Sequence, residues 1–298
     1  MKLSKSTFFL IAFLGIMLPL GLFGQSRMPE IKISEKPVEN AEVDSLEERP
    51  YFLLIDQSEK ALQEGDYASA ALRLVEAMGI EPENELNVAL LSNLGMIYYY
   101  NEQDSLALVV LDKAIERAPR LIAPRQGRAR ILVAQGRDRE AYKEYERILE
   151  IDSINTDTRF LHGMMALYSG DLETALTDIK VLERVIPESS TTKLAHAVLY
   201  SMTGNEIEAI SLFRKLIEDD PSPEYFGQLT ACQLAIDELA GASETIGKWQ
   251  EKYPRDPELF YYRAILNKRR YLNDEAHRDA KQAIKLGADP KKVKAIFD

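Results

Sequence analysis

Cysteine occurs once in the 298 residues, at Cys232, and histidine three times. A single cysteine excludes an intrachain disulfide framework and any zinc or iron–sulfur centre built on several thiolates. Three histidines leave little for metal chemistry, so neither a metal nor a cofactor is expected. Glycine (15) and proline (13) are too sparse for a collagen-like or low-complexity chain. Positive charge is also in deficit, 37 Lys and Arg against 48 Asp and Glu, a net charge of −11. That argues against a nucleic-acid partner, because replacing counterions on a phosphate backbone needs a basic face. Walker loops, G-x-G-x-x-G, H-E-x-x-H and G-x-S-x-G are all missing, and no catalytic residue is expected. What is present, 46% apolar and 29% charged residues, is the balance of a folded protein long enough for one large domain or two ordinary ones.

The N-terminus reads as a targeting segment. Lys2 and Lys5 precede an apolar run from Phe8 to Leu18, followed by Pro19, Gly21 and Gly24. This is the charged start, apolar middle and small-residue end of a secretory signal over residues 1–24, with cleavage after Gly24. The alternative is an uncleaved anchor. Positive charge keeps that end cytoplasmic, so either reading exports residues 25–298. Residues 25–50 carry seven acidic and four basic residues and no aromatic, which predicts a flexible charged linker, with a short helix at 41–49 as the one ordered option.

Residues 51–290 are periodic. Ala70, Ala107, Ala141, Ala175, Ala209, Ala242 and Ala276 are spaced by 37, 34, 34, 34, 33 and 34. Twelve residues before each stands a small or short residue: Ser58, Gly95, Ala129, Gly163, Ala197, Thr230 and Ala264. Four residues after come Leu74, Leu111, Tyr145, Ile179, Phe213, Ile246 and Ala280; seven after come Ala77, Ala114, Ile148, Leu182, Leu216, Trp249 and Ala283. Twelve after, Pro82, Pro119, Pro187, Pro221 and Pro254 stop a helix, because proline lacks an N–H and clashes with the preceding turn. The boundaries expected are 51–87, 88–121, 122–155, 156–189, 190–222, 223–256 and 257–290, each a helix–turn–helix, then a cap helix over 291–298. Helix pairs of this kind leave an apolar face bare and must stack on one another.

These columns resemble the tetratricopeptide repeat (TPR), whose pattern runs over 34 residues. Leu94-Gly95-x2-Tyr98, Ala107-x3-Leu111 and Pro119 match best, and Gly65-Asp66-Tyr67-x2-Ala70 and Gly170-Asp171-Leu172-x2-Ala175 match its inter-helix turn. The resemblance implies an all-α fold, a right-handed superhelical solenoid of about seven helix–turn–helix repeats closed by a C-terminal cap helix. Two kinds of departure stand out. Arg128, His162 and His196 replace the Leu of the first helix in the middle repeats, and Asp237 and Tyr271 stand where the turn glycine belongs in the sixth and seventh.

In the TPR family first helices line a concave groove that takes extended or helical peptides. Carried over column by column, the resemblance implies a groove of Met96, Tyr99 and Tyr100; Gln126 and Arg130; Phe160, Met164 and Tyr168; Leu194, Val198 and Met202; and Tyr261 and Arg269. Aromatic, Met and Arg side chains suit peptide anchoring. The family's carboxylate clamp is absent: Asn93 fills one of its places, but Ile55, Glu59, Ala123 and Gly127 occupy others. Within Arg125, Arg128 and Arg130, Arg130 is the one expected to meet an acidic partner group, and the others to pair with nearby carboxylates. His162 and His196 sit in equivalent places of successive repeats. Stacked helices lie roughly 10 Å apart and metal–nitrogen bonds are about 2 Å, so both are read as packing histidines, His277 as a surface residue and Cys232 as a buried inert thiol.

The expectation is a non-enzymatic interaction protein exported to a Gram-negative periplasm, or anchored to the inner membrane facing it. It binds one or more envelope proteins or peptides in the groove, with membrane association through the N-terminal segment if that stays uncleaved. The alternatives are a structural or oligomer-forming subunit of an envelope assembly machine, and, third, an enzyme or small-ligand protein with a site inside the superhelix.

Overall fold

The computed structural model describes residues 49–298. The signal segment and the linker up to residue 48, with the helix expected at 41–49, lie outside the described residues except for Arg49, and Pro50 belongs to the first helix rather than to the linker. The described residues fold into fifteen helices and no strand. They are α1 (Pro50–Gln63), α2 (Tyr67–Ile80), α3 (Asn87–Tyr100), α4 (Asp104–Arg117), α5 (Ile122–Ala134), α6 (Asp138–Ile151), α7 (Thr156–Ser169), α8 (Leu172–Val185), α9 (Ser190–Thr203), α10 (Glu206–Asp219), α11 (Pro223–Ala235), α12 (Leu239–Lys252), α13 (Pro257–Arg269), α14 (Asn273–Leu286) and α15 (Pro290–Lys294). They fall into two compact units, divided within α7: residues 49–165 and residues 166–298.

In the first unit α1 packs on α2, α3 on α4 and α5 on α6, and α3 also touches α5. In the second, α9 packs on α10, α11 on α12 and α13 on α14, and α15 lies on α14. The physical cause is the pair of small columns. All seven period-marking alanines, from Ala70 to Ala276, have no exposed surface. Opposite Ala107, Gly95 leaves no room for a side chain: a Cβ there would sit 2.5 Å from Leu111 Cγ. The columns four and seven residues after each alanine are buried throughout, and they carry the bulk of the core. Where a hydroxyl enters the small column it is satisfied locally. Ser58 donates to the Ala70 carbonyl at 2.9 Å, and Thr230 to the Phe226 carbonyl at 2.7 Å.

Helix starts follow from sequence as well. Asp66, Asp171, Ser189, Ser222, Asp256 and Asp289 accept a backbone N–H of the first turn, removing an orphan donor. Asp256 also accepts the indole N–H of Trp249 at 3.0 Å, tying α12 to the start of α13. The last helix is shorter than the expected span of 291–298. It ends at Lys294, because Ile296 and Phe297 donate to carbonyls three residues back and close turns instead.

Two of the sequence departures have physical explanations. Every inter-helix turn places one residue in the left-handed region: Gly65, Glu102, Gly136, Gly170, Gly204, Asp237 and Tyr271, with φ between 58° and 87°. The sixth and seventh turns therefore keep the turn geometry without glycine, at the conformational cost of a side chain at positive φ. Arg128, in place of a first-helix leucine, is neutralised by the second helix. Its Nη1 meets Glu144 Oε1 at 2.7 Å, its Nε meets Asp112 at 3.1 Å, and Arg125 holds the other Glu144 oxygen at 3.0 Å. Leu94 and Val110 occupy the same two columns one repeat earlier and are both buried. In the last repeat the columns hold Arg263 and Asp279, 2.6 Å apart.

Two stability experiments follow from this. No atom lies within 4 Å of a Cβ built on Gly136, so Gly136→Ala isolates backbone strain. Urea denaturation is expected to show a loss of ~1 kcal/mol for Gly136→Ala and a gain of similar size for Glu102→Gly. Glu144→Val strips two arginines of their shared carboxylate and is expected to cost ~3 kcal/mol. The double variant Arg128→Leu/Glu144→Val rebuilds the Leu94–Val110 combination and is expected to recover at least half of that loss.

Candidate protein-interaction surface

The groove residues expected from the repeat columns divide by their surroundings. In the first unit, Met96, Tyr99 and Tyr100 of α3, Gln126 and Arg130 of α5 and Phe160 of α7 are half-buried and retain solvent-facing surface. Met96 lies against the next first helix, where a Cβ on Gly127 would come within 2.9 Å of its sulfur. Met164 is buried, at 2% exposure, and leaves the candidate set. In the second unit Leu194, Val198 and Tyr261 are buried as well. These four are packing residues, although Met96 and Arg130 in the column of Met164 and Val198, and Gln126 and Phe160 in the column of Leu194 and Tyr261, keep solvent-facing surface. Tyr168 and Met202 are half-buried, and burial pushes the Tyr168 phenol up to about 12. Arg269 is exposed, but its guanidinium is occupied: it donates to the Leu234 carbonyl and pairs with Asp237 at 2.8 Å, closing the end of α11.

The first unit gathers the most capable group. Tyr100 stacks on Tyr67 with ring centroids 5.8 Å apart and touches Tyr99 at 5.6 Å. Arg130 Nη1 donates to the Tyr100 hydroxyl at 3.3 Å. Burial, and then the Asp104 carboxylate, raise the Tyr99 phenol, while Arg130 pulls it the other way. Asp104 is itself held by Gln135 at 3.0 Å. Three aromatic faces beside one guanidinium suit a partner's apolar or aromatic side chain with a carboxylate close by. Tyr67 was not among the expected groove residues. It stands at the start of a second helix, in the Gly65-Asp66-Tyr67 turn motif, and the column rule looks only at first helices. Tyr98 packs into the core beside them, as its column requires.

The three histidines make separate contacts. His162 is buried and stacks on Tyr142 at 4.3 Å; His196 pairs with Glu183 at 2.9 Å; His277 is exposed and stacks on Phe297 at 4.2 Å. Among the described residues no three His, Cys, Asp or Glu side chains are grouped to hold a metal. A feature with no signal in the repeat columns is an open apolar depression of about 480 Å³ in the second unit, lined by Ile207, Ile210, Ser211 and Ile236 and rimmed by the Arg214–Glu238 pair at 3.1 Å.

Solved structures of similar fold include the following three. A tetratricopeptide repeat protein from Parabacteroides merdae is 25% identical, with 83% of this chain and 97% of that chain covered and a TM-score of 0.71. PilF of Pseudomonas aeruginosa is 16% identical over 73% of this chain and 98% of its own, with a TM-score of 0.59. PilW, described as a widely conserved type IV pilus biogenesis factor, is 16% identical over 71% and 97%, also with a TM-score of 0.59. No family model matches the sequence, and no curated protein matches it.

Cys232 is fully buried, and burial pushes its thiol up to about 12. The native chain is therefore expected to leave a thiol-reactive disulfide reagent unconsumed at pH 8 and to react with one equivalent once urea unfolds the second unit.

Proposed function

We propose that this chain, which has the tetratricopeptide-repeat fold, is a non-catalytic protein-interaction module of the cell envelope that holds a segment of a partner protein against its first helices. The observation that carries the reading is the Tyr67–Tyr99–Tyr100–Arg130 group, where aromatic faces and a guanidinium remain solvent-facing on a scaffold whose other columns are consumed by packing. Aromatic and Arg side chains are the residue types that dominate interface energetics. Gln126 and Phe160, on the two following first helices, extend the same kind of surface.

The envelope assignment rests on the N-terminal pattern of Lys2, Lys5 and the Phe8–Leu18 run. The fold likeness to PilF and PilW is consistent with it, the latter being a pilus biogenesis factor. Among the described residues no helix is long and apolar enough to cross a membrane, so any anchoring falls to the N-terminal segment.

The triple variant Tyr99→Ala/Arg130→Ala/Phe160→Ala tests the surface. In-cell crosslinking of the tagged chain followed by mass spectrometry is expected to recover a dominant partner with the wild type and lose it with the variant, while the unfolding midpoint moves little, since all three side chains are half-exposed. A partner recovered equally well from the variant refutes this surface as the binding site.

A further inference from the structure

Charge is unevenly divided among the repeats. Residues 50–87 hold eight Asp or Glu against two Lys or Arg, a net charge of −6. Residues 257–298 hold ten Lys or Arg against six Asp or Glu, a net charge of +4. The five repeats between them range only from −3 to +1. In the basic segment Arg263 is matched by Asp279, Arg278 by Glu275 and Lys292 by Glu258. Lys281, Lys285, Lys291 and Lys294 are exposed and make no ion pair among the described residues. In the acidic segment Glu76 is matched by Arg73 and Glu81 by Arg49. Asp56, Glu64, Glu83 and Glu85 are exposed and likewise make no ion pair among the described residues.

Each segment also exposes apolar surface. Tyr271, 89% exposed, and Leu272 project at the α13–α14 turn behind Lys268, Arg269 and Arg270. On α2, Ala68, Leu72, Val75 and Gly79 are all exposed at the spacing of one helix face, which leaves an apolar stripe bare in the acidic pair.

We propose that copies of this chain associate head to tail, the basic surface of residues 257–298 in one copy docking on the acidic helix pair 50–87 of another. An acidic chain carries its own anionic target, and opposite charge on two different surfaces of one molecule makes that molecule its own partner. A second copy satisfies both halves at once: lysines meet carboxylates, and the Tyr271–Leu272 tip meets the Leu72–Val75 stripe. An anionic bilayer would neutralise the lysines but leave the stripe bare. Because the two surfaces differ, the contact is heterologous and leaves one surface of each kind free to take a further copy. Tyr67 alone of the binding group falls within either segment, at the start of α2, and none of the charged residues named here belongs to that group, so this inference does not rest on the binding reading above.

Sedimentation velocity of the full chain tests it, with all variants sharing the same N-terminal segment. The wild type is expected to show concentration-dependent association at ~50 mM salt that weakens strongly by ~500 mM, where screening shortens the reach of exposed charges to a few ångström. Two charge-reversal variants divide the interface: Lys281→Glu/Lys285→Glu/Lys291→Glu/Lys294→Glu, and Asp56→Lys/Glu64→Lys/Glu83→Lys/Glu85→Lys. Each alone is expected to associate roughly tenfold more weakly or worse, because like charges then face each other. Mixed in equal amounts they re-form complementary pairs, and association returns. Tyr99→Ala/Arg130→Ala/Phe160→Ala is expected to associate as the wild type does. A wild type that stays monomeric at low salt, association untouched by either reversal, or a mixture that fails to recover overturns the proposal. So does binding of the wild type to anionic vesicles without self-association, which assigns the lysines to lipid.

Discussion

Each helix pair depends on a contact between backbones that only small side chains permit. Gly95 sits so close to Leu111 that a methyl group would overlap it, and Ala107 faces it with no exposed surface. Close approach lets the residues four and seven positions after each alanine fill the space between pairs, since a larger residue in either small column would separate the helices and open voids on both sides. From that contact the rest follows. The turn must reverse the chain within about three residues, which forces one residue to positive φ. The residue twelve after the alanine must end the helix, which proline does in five repeats. Substitution is tolerated at these dependent positions: Glu102, Asp237 and Tyr271 accept the left-handed turn. In the alanine column itself nothing else appears.

A second freedom is chemical rather than geometric. The pair of columns that holds Leu94 and Val110 in one repeat holds Arg128 and Glu144 in the next and Arg263 and Asp279 in the last. A buried carboxylate and a guanidinium can replace two aliphatic side chains only together, because either alone leaves an uncompensated charge in a dry contact. The repeat therefore constrains the pair and not the residue. Both members of each combination lie on the first and second helix of one repeat, so the choice between aliphatic and ionic packing is made within each helix pair.

The fold was legible in the sequence because its determinants recur. Seven alanines in phase, and the small column twelve residues earlier, mark positions that all prove buried. The proposed interaction surface was legible only in part. The column rule found Tyr99, Tyr100, Gln126, Arg130 and Phe160, which keep solvent-facing surface, but it also brought in Met164, Leu194, Val198 and Tyr261, which are packed away. A first-helix face shared between groove and neighbour is divided by how far each helix leans on the next, and that lean depends on side-chain volumes in the adjacent repeat. Arg269 shows a different failure. Its position is exposed as expected, yet its guanidinium is taken up by Asp237 thirty-two residues earlier, a residue the sequence marked only as a missing glycine. Arg128 was recognised as a departure without its partner, since nothing in a single sequence says that Glu144 lies opposite.

Selection for packing acts on every repeat alike, so it averages out along the chain, whereas selection for contact acts on particular repeats and leaves them unlike the others. Residues that break the period on the surface therefore carry more functional information than those that keep it. The Tyr98–Tyr99–Tyr100 run occurs in one repeat only, and the charge of the helix pairs swings from −6 to +4 while their buried columns stay nearly constant. Packing accounts for Tyr98 and for the alanines. It gives no reason for two further half-buried tyrosines beside Arg130, nor for four exposed lysines gathered between residues 281 and 294 of an acidic chain. Exposed aromatic rings are costly to leave in water, and clustered like charges repel one another. Both arrangements oppose the stability of the isolated chain, and both are relieved by a partner that covers them.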